Sequence, residues 1–220
     1  MANQQRAVRS RGALVRAAAA HFDEDGYAGT SLSQISKSAG ISVGGLTFHF
    51  KSKAELAEAV EEVGRADTRA ALERVRARPG PALRRLVELT LELTRQIGRN
   101  AAVRATIRLE RERPGAQPWS ATWLPDAHEL LRQARDDGGL LRGTDPEAVA
   151  ALVLSLVSAT EMASRRPTGP AWSTEGAIRL LENTWRLVLT GILADRDAIA
   201  EVTRRPVDTT APGRSGQVAH

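Results

Sequence analysis

Apolar residues recur along the chain at helical spacing, and the alternation that marks strands is almost absent. Val8, Val15, Ala18, Ala19 and Phe22 form one stripe that ends at Gly26, the pattern of a helix with a single buried face. Ser31 with Gln34 makes a capping-box pattern, and Leu32, Ile35 and Ala39 give a short second helix stopped by Gly40. After a turn, Ser42 is placed to cap a third helix whose inward residues are Leu46 and Phe50, with Ile41 packing just before it. Ser52-Lys53-Ala54-Glu55 repeats the capping-box pattern. It opens a long helix through Leu56, Ala59, Val60 and Val63 toward Arg78, broken by Pro79-Gly80-Pro81.

Beyond the break, Leu83, Leu86, Val87, Leu89, Leu91, Leu93 and Ile97 are apolar nearly all round, which predicts a central helix enclosed by others. A shorter helix carries Val103, Thr106 and Ile107, and residues 114–118 form a loop. The next helix covers about 119–135, with Pro125 either kinking it or marking its first turn, and Asp136-Asp137-Gly138-Gly139 ends it. Asp145-Pro146 opens a helix that carries the apolar run at 148–159 on to Met162. Ile178, Leu181, Trp185, Val188, Leu189 and Ile192 make the last stripe, and from Thr203 onward Pro, Thr, Gly and Ser dominate without periodicity. The expectation is an all-α protein of about nine helices: a helix-turn-helix unit at 7–67, a helical bundle at 68–202 and a disordered tail at 203–220.

Composition narrows the chemistry. The 220 residues, 42% hydrophobic, are enough to bury a core, and the absence of cysteine removes disulfides, thiolate zinc sites and cysteine nucleophiles. The first eleven residues hold no signal-peptide core, and the dozen-residue apolar run, interrupted by Ser155 and Ser158, falls short of the ~20 residues a bilayer span needs. A cytoplasmic chain without membrane association is expected. His21, His49, His128 and His220 are dispersed, with no HExxH, no metal-ligand cluster and no Gly-x-Ser-x-Gly. Catalysis, a metal and a cofactor are therefore not expected. Gly44-Gly45 lacks a surrounding phosphate-loop pattern. Arg104, Arg108, Arg111 and Arg113 read as a solvated face offset by Glu110 and Glu112.

The net charge is +5, yet the first 60 residues hold only seven Lys+Arg against five Asp+Glu. All three lysines of the chain, Lys37, Lys51 and Lys53, lie there. Nucleic-acid affinity would then rest on a few placed cations rather than a broad basic surface. In the helix-turn-helix the second short helix enters the major groove. Its outward residues Ser42, Val43, Gly44, Gly45, Thr47, Phe48 and His49, with Ser31 and Ser33 on the preceding helix, are candidate DNA contacts. Phe48 is placed outward, where a ring is costly unless it meets a sugar or a thymine methyl. Lys51 and Lys53 are placed to reach phosphates, and Arg9 and Arg11 form a basic arm.

The run Phe22-Asp23-Glu24-Asp25-Gly26-Tyr27, followed by Thr30-Ser31-Leu32, Ile35, Ala39-Gly40-Ile41-Ser42 and the stretch from Gly44 through Phe48-His49-Phe50-Lys51-Ser52-Lys53 to Leu56, resembles the DNA-binding domain of TetR-family regulators. The resemblance covers the first quarter of the chain. It implies a homodimer on double-stranded operator DNA, a connecting helix that pivots, and a C-terminal bundle that binds a small hydrophobic effector and dimerises through its last two long helices. Within the family the wording is similar to the γ-butyrolactone-receptor and pseudo-receptor group, regulators of antibiotic production. In that group a pocket tryptophan precedes a leucine pair by seven and eight residues. Trp123 with Leu130-Leu131 fits, Trp119 is the fallback, and Val87 and Leu91 are further candidate ligand contacts. Trp185 and Trp172 read as core or interface. Two departures stand out: Thr47 where the family usually has tyrosine, and Val43 where the receptor group often has lysine. A ligand-responsive repressor is the expected function, with a multidrug-sensing regulator of an efflux gene, or an accessory dimer with weakened DNA binding, as alternatives.

Overall fold

The computed structural model describes residues 2–113, 115–165 and 173–194, the side chains of 2, 3 and 190–194 excepted. The tail from 203, Trp172 and the side chain of Ile192 lie outside the described residues. Within them the protein is all helical: α1 (Ala2–Glu24), the single turn α2 (Gly26–Gly29), α3 (Leu32–Ala39), α4 (Val43–His49), α5 (Lys53–Arg76), α6 (Ala82–Arg99), α7 (Ala101–Glu112), α8 (Leu124–Asp136), α9 (Pro146–Ser164) and α10 (Thr174–Ala194), with a 3-10 turn at Trp119–Thr122.

Local chemistry sets most of these boundaries. Ser31 and Gln34 close a reciprocal capping box on α3, and Gly40 ends it in the left-handed region at φ 67°. Ser42 caps α4 through the Gly45 N–H, and Asp145 caps α9 through the Glu147 N–H ahead of Pro146. At α5 only half the expected box forms. Ser52 accepts from the Glu55 N–H, but the Glu55 carboxylate turns to the Lys51 N–H at 2.7 Å. Pro125 lies in the first turn of α8, whose missing donor is harmless there, and the residues before it tighten into the 3-10 turn.

Two apolar clusters form. The first gathers Leu14, Val15, Ala18 and Phe22 of α1, Ile35 of α3, Leu46 and Phe50 around α4, and Leu56 and Val60 of α5. The second holds Leu72 and Val75 of α5, Leu86 to Ile97 of α6, Trp119 and Trp123, Leu130 and Leu131 of α8, Val153 and Val157 of α9, and Trp185 of α10. Val8 does not join the first stripe: it is 68% exposed, and Leu14 fills the interior position instead. Val63 is likewise outward.

The helix that departs most from the sequence reading is α7. It follows the proline break, yet it packs mainly on α1 and α5. Ala102, Ala105 and Leu109 lie in the first cluster while Val103 and Ile107 lie in the second. Gly64 of α5 makes the crossing possible. A Cβ there would stand 2.2 Å from Thr106 Oγ1 and 2.6 Å from the Ala102 carbonyl oxygen. By length and composition α9 could cross a membrane. It nonetheless packs on α6 and α8 and holds the buried carboxylate of Glu161.

Candidate nucleic-acid interface

Short helices α3 and α4 have too few residues to be stable alone and are held by Ile35, Leu46 and Phe50, all fully buried against α1 and α5. With those faces inward, Ser33, Ser42, Val43, Gly44, Thr47 and Phe48 are left exposed together. Phe48 is 82% exposed, and its ring meets the half-buried His49 edge-on at 5.3 Å. The two glycines serve different ends. A Cβ on Gly45 would sit 2.8 Å from Ile41 Cγ2, so Gly45 lets α4 close on the turn, whereas a Cβ on Gly44 would meet nothing nearer than the Ser42 hydroxyl at 4.0 Å. The Thr47 hydroxyl donates to the Gly44 carbonyl at 3.1 Å. Ser31 and Ser42 spend their side-chain oxygens on the caps.

Of the cations singled out, Arg9 and Lys51 are exposed. Arg11 is exposed with its guanidinium 5.0 Å from the Phe50 ring centre, which ties the basic arm to the end of α4. Lys53 departs from expectation. Its ammonium donates to the carbonyls of Tyr27 (2.7 Å) and Thr30 (2.9 Å) and lies 4.4 Å from the Tyr27 ring centre. It fastens the α2–α3 corner to the start of α5 rather than standing free for a phosphate.

In the bundle, Trp119, Trp123 and Leu91 are buried in one cluster, with Val87 partly buried against it. The rings of Trp119 and Trp123 meet edge-on at 5.9 Å. Trp119 donates its indole N–H to the Thr68 hydroxyl (2.9 Å), and Trp185 donates to the Thr90 hydroxyl (2.8 Å). The Trp123 indole N–H is buried without a partner. An apolar cavity of about 60 Å³ lies against Trp185, Leu83, Leu140 and Val188, room for a water molecule or two but not for a signal molecule.

The arginines of α7, with Arg113 just after it, are engaged by partners rather than left free on a solvated face, although Arg111 remains half exposed. Arg104 bonds the Asp23 carboxylate at 2.7 Å and the Ile97 carbonyl at 3.0 Å. Arg108 donates to the carbonyls of Asp23 and Glu24, both at 2.8 Å, and pairs with Glu112. Glu112 in turn accepts the Tyr27 N–H at 2.6 Å. Partial burial raises the Glu112 pKa, but the bonds from Arg108 and Tyr27 outweigh it and hold the carboxyl below its usual value. Arg111 grips the buried Glu161 of α9 with both terminal nitrogens, at 3.2 and 2.5 Å. Arg113 reaches the buried Glu61 of α5 at 2.6 Å. Burial raises the Glu110 pKa even though its carboxylate accepts the Trp119 N–H. Gly26, at φ 78°, leaves room for the Arg108–Glu112 pair. The signal for this network was present in the sequence: Arg104, Arg108 and Arg111 share a helical face, and Glu161 is the single charge between Val149 and Met162.

Comparison with known proteins places this architecture. The family model for bacterial regulatory proteins of the tetR family matches residues 14–60, the span of the first apolar cluster from α1 into α5. The TetR-family protein CprB of Streptomyces coelicolor, solved in complex with its biological operator sequence, is 30% identical. The match covers 84% of this chain and 89% of CprB, with a TM-score of 0.67. The chain belongs to the TetR family. The A-factor receptor protein of Streptomyces griseus is 28% identical over 195 residues, 87% of this chain and 67% of that protein. A γ-butyrolactone receptor described as ArpA-like is 29% identical over 83% of this chain and 98% of its own, with a TM-score of 0.64. This TetR-family chain is thus a transcriptional regulator rather than an enzyme, and its likeness within the family is to the γ-butyrolactone-receptor group.

Proposed function

We propose that the protein is a cytoplasmic repressor that binds a pseudo-palindromic operator as a homodimer. A γ-butyrolactone-like or antibiotic-type molecule, entering the bundle beside Trp123, Trp119, Val87 and Leu91, releases it. The observation that carries the DNA part is the exposed face of α4. A phenylalanine left 82% in water beside Gly44, Thr47 and Lys51 costs solvation free energy in the isolated chain and gains a partner in a groove. The buried, unpartnered Trp123 N–H supports an effector that offers a carbonyl oxygen. Leu154 and Met162 on α9 and Leu180 and Leu187 on α10 are exposed, which supports these helices as the surface a second copy covers. In this reading the DNA-binding unit ends at about residue 67, within α5, and α7 adds its inner face to that unit.

Selection from random duplexes is expected to enrich a two-fold-related motif with half-sites about one helical turn or a multiple apart, and an alkyl-substituted γ-butyrolactone is expected to release the enriched duplex. Enrichment without release by any lactone would redirect the effector part of the reading toward drug sensing. Enrichment of no motif would favour an accessory dimer, the second reading, which the Thr47 hydroxyl turned back to Gly44 and the uncharged Val43 support.

Two substitutions separate charge from hydrogen bonding at this face. Val43→Lys adds a cation to each half-site and is expected to steepen the salt dependence of operator binding by about two ions per dimer. Thr47→Tyr adds a neutral phosphate contact and is expected to raise affinity about tenfold with the slope unchanged. Binding measured across a salt series checks both, and a Val43→Lys slope equal to wild type would remove Val43 from the phosphate-facing surface.

A further inference from the structure

The α7 network joins three parts that a DNA-binding dimer must hold in register. On one side Arg104 and Arg108 fasten the last turn of α1, and Glu112 fastens Tyr27, the second residue of α2. On the other side Arg111 holds Glu161 of α9, a carboxylate only 3% exposed, and Arg165, the residue just past α9, both pairs with Glu161 and donates to the Arg104 carbonyl at 3.4 Å. Along residues 11–19, by contrast, α1 is separated from α6 by a cleft of about 950 Å³, floored by Val15, Ala19, Val63 and Ala102. The ion pairs that fasten the DNA-binding unit to α7 therefore gather at the C-terminal end of α1, while residues 11–19 of that helix face α6 only across the cleft. Glu161 is buried while Arg111 is half exposed; an ion pair taken out of water adds little to stability compared with apolar residues of the same volume, and its best-attested use is to fix a register.

We infer that Arg111 and Glu161 are positioning residues: through α7 they set the angle of the DNA-binding unit relative to α9, and so the half-site spacing the protein accepts. The inference rests on the dimeric, operator-binding reading above, with α9 in the dimer interface. Inserting one base pair moves a half-site by about 3.4 Å and turns it by about 34°, so a rigid strut penalises it and a loose one does not.

The test is fluorescence anisotropy of the full chain on its selected duplex and on duplexes with one or two base pairs inserted or removed at the centre. Wild type is expected to lose about tenfold or more in affinity on a single insertion. Arg111→Met and Glu161→Gln are expected to shrink that ratio to about threefold or less while the salt slope stays unchanged. Arg111→Lys, which keeps the charge but not the two-point grip, falls between. The double substitution Arg111→Met with Glu161→Met replaces the pair by apolar residues. It is expected to melt at or near the wild-type temperature and still bind without regard to spacing, which a purely structural pair would not produce. Folded Arg111→Met and double variants with the wild-type spacing ratio would overturn the inference. A wild type that enriches no duplex would instead remove the operator-binding reading beneath it.

Discussion

Gly64→Ala is expected to lower stability by about 2–3 kcal/mol, and Gly64→Val by more, although an alanine in a helix interior is ordinarily better than glycine by about 0.5–1 kcal/mol. The sign follows from the crossing of α5 and α7. The added carbon would stand 2.2 Å from Thr106 Oγ1 and 2.6 Å from the Ala102 carbonyl oxygen, and the second of these belongs to backbone that cannot rotate away. Relief comes only by separating the helices. That would loosen the packing of Ala57 and Val60 of α5 with Ala102, Ala105 and Leu109 of α7, which share one buried cluster. Adding Thr106→Ala removes the nearer obstacle and is expected to recover part of the loss. Urea unfolding midpoints provide the measurement, and Gly64→Ala as stable as wild type would show that the two helices are not in contact in solution. Because α7 carries both apolar clusters, operator binding should fall together with stability.

The second large effect concerns Trp123, and it is the reverse case: little change in stability with a large change in response. Removing a buried donor that has no partner relieves a desolvation cost of about 1–3 kcal/mol, which offsets the packing lost when phenylalanine replaces the indole. Trp123→Phe is therefore expected to melt within a few degrees of wild type and to hold its operator normally. The effector concentration needed for release should rise about tenfold or more, the equivalent of one hydrogen bond of roughly 1.4 kcal/mol to a bound carbonyl. Trp119→Phe and Trp185→Phe supply the contrast. Each removes the indole N–H that a threonine hydroxyl, Thr68 or Thr90, now accepts, leaving the hydroxyl only its own bond to a backbone carbonyl, so each is expected to lose stability. Release by an alkyl γ-butyrolactone, titrated for all three variants, distinguishes them. Unchanged release by Trp123→Phe would place the effector elsewhere.

What could be read from the sequence was local. The caps at Ser31, Ser42 and Asp145 and the stop at Gly40 depend on residues within one turn, and periodicity supplied the inward residues Ile35, Leu46, Phe50 and Trp185. The misreadings share a different cause. Arg104 meets Asp23 across 81 positions, Arg111 meets Glu161 across 50 and Lys53 meets Tyr27 across 26, and charge type alone does not say whether such a side chain faces water or another helix. The same limit applied within one turn at Ser52, where Glu55 had two backbone donors within reach and took that of Lys51. The outward face of α4 was therefore legible as a set of exposed positions, while the long-range ion pairs around α7 were not.

The fastening of Lys53 also bears on composition. The chain has 31 basic residues and writes all but three of them as arginine. At position 53 the cation must fit between two carbonyl oxygens at 2.7 and 2.9 Å and beneath an aromatic ring at 4.4 Å. A compact ammonium with three rotatable donors can satisfy three directions at once, whereas a flat guanidinium presents its donors in a single plane. In a chain that prefers arginine almost everywhere, this lysine is kept by the shape of its charge rather than by the charge itself.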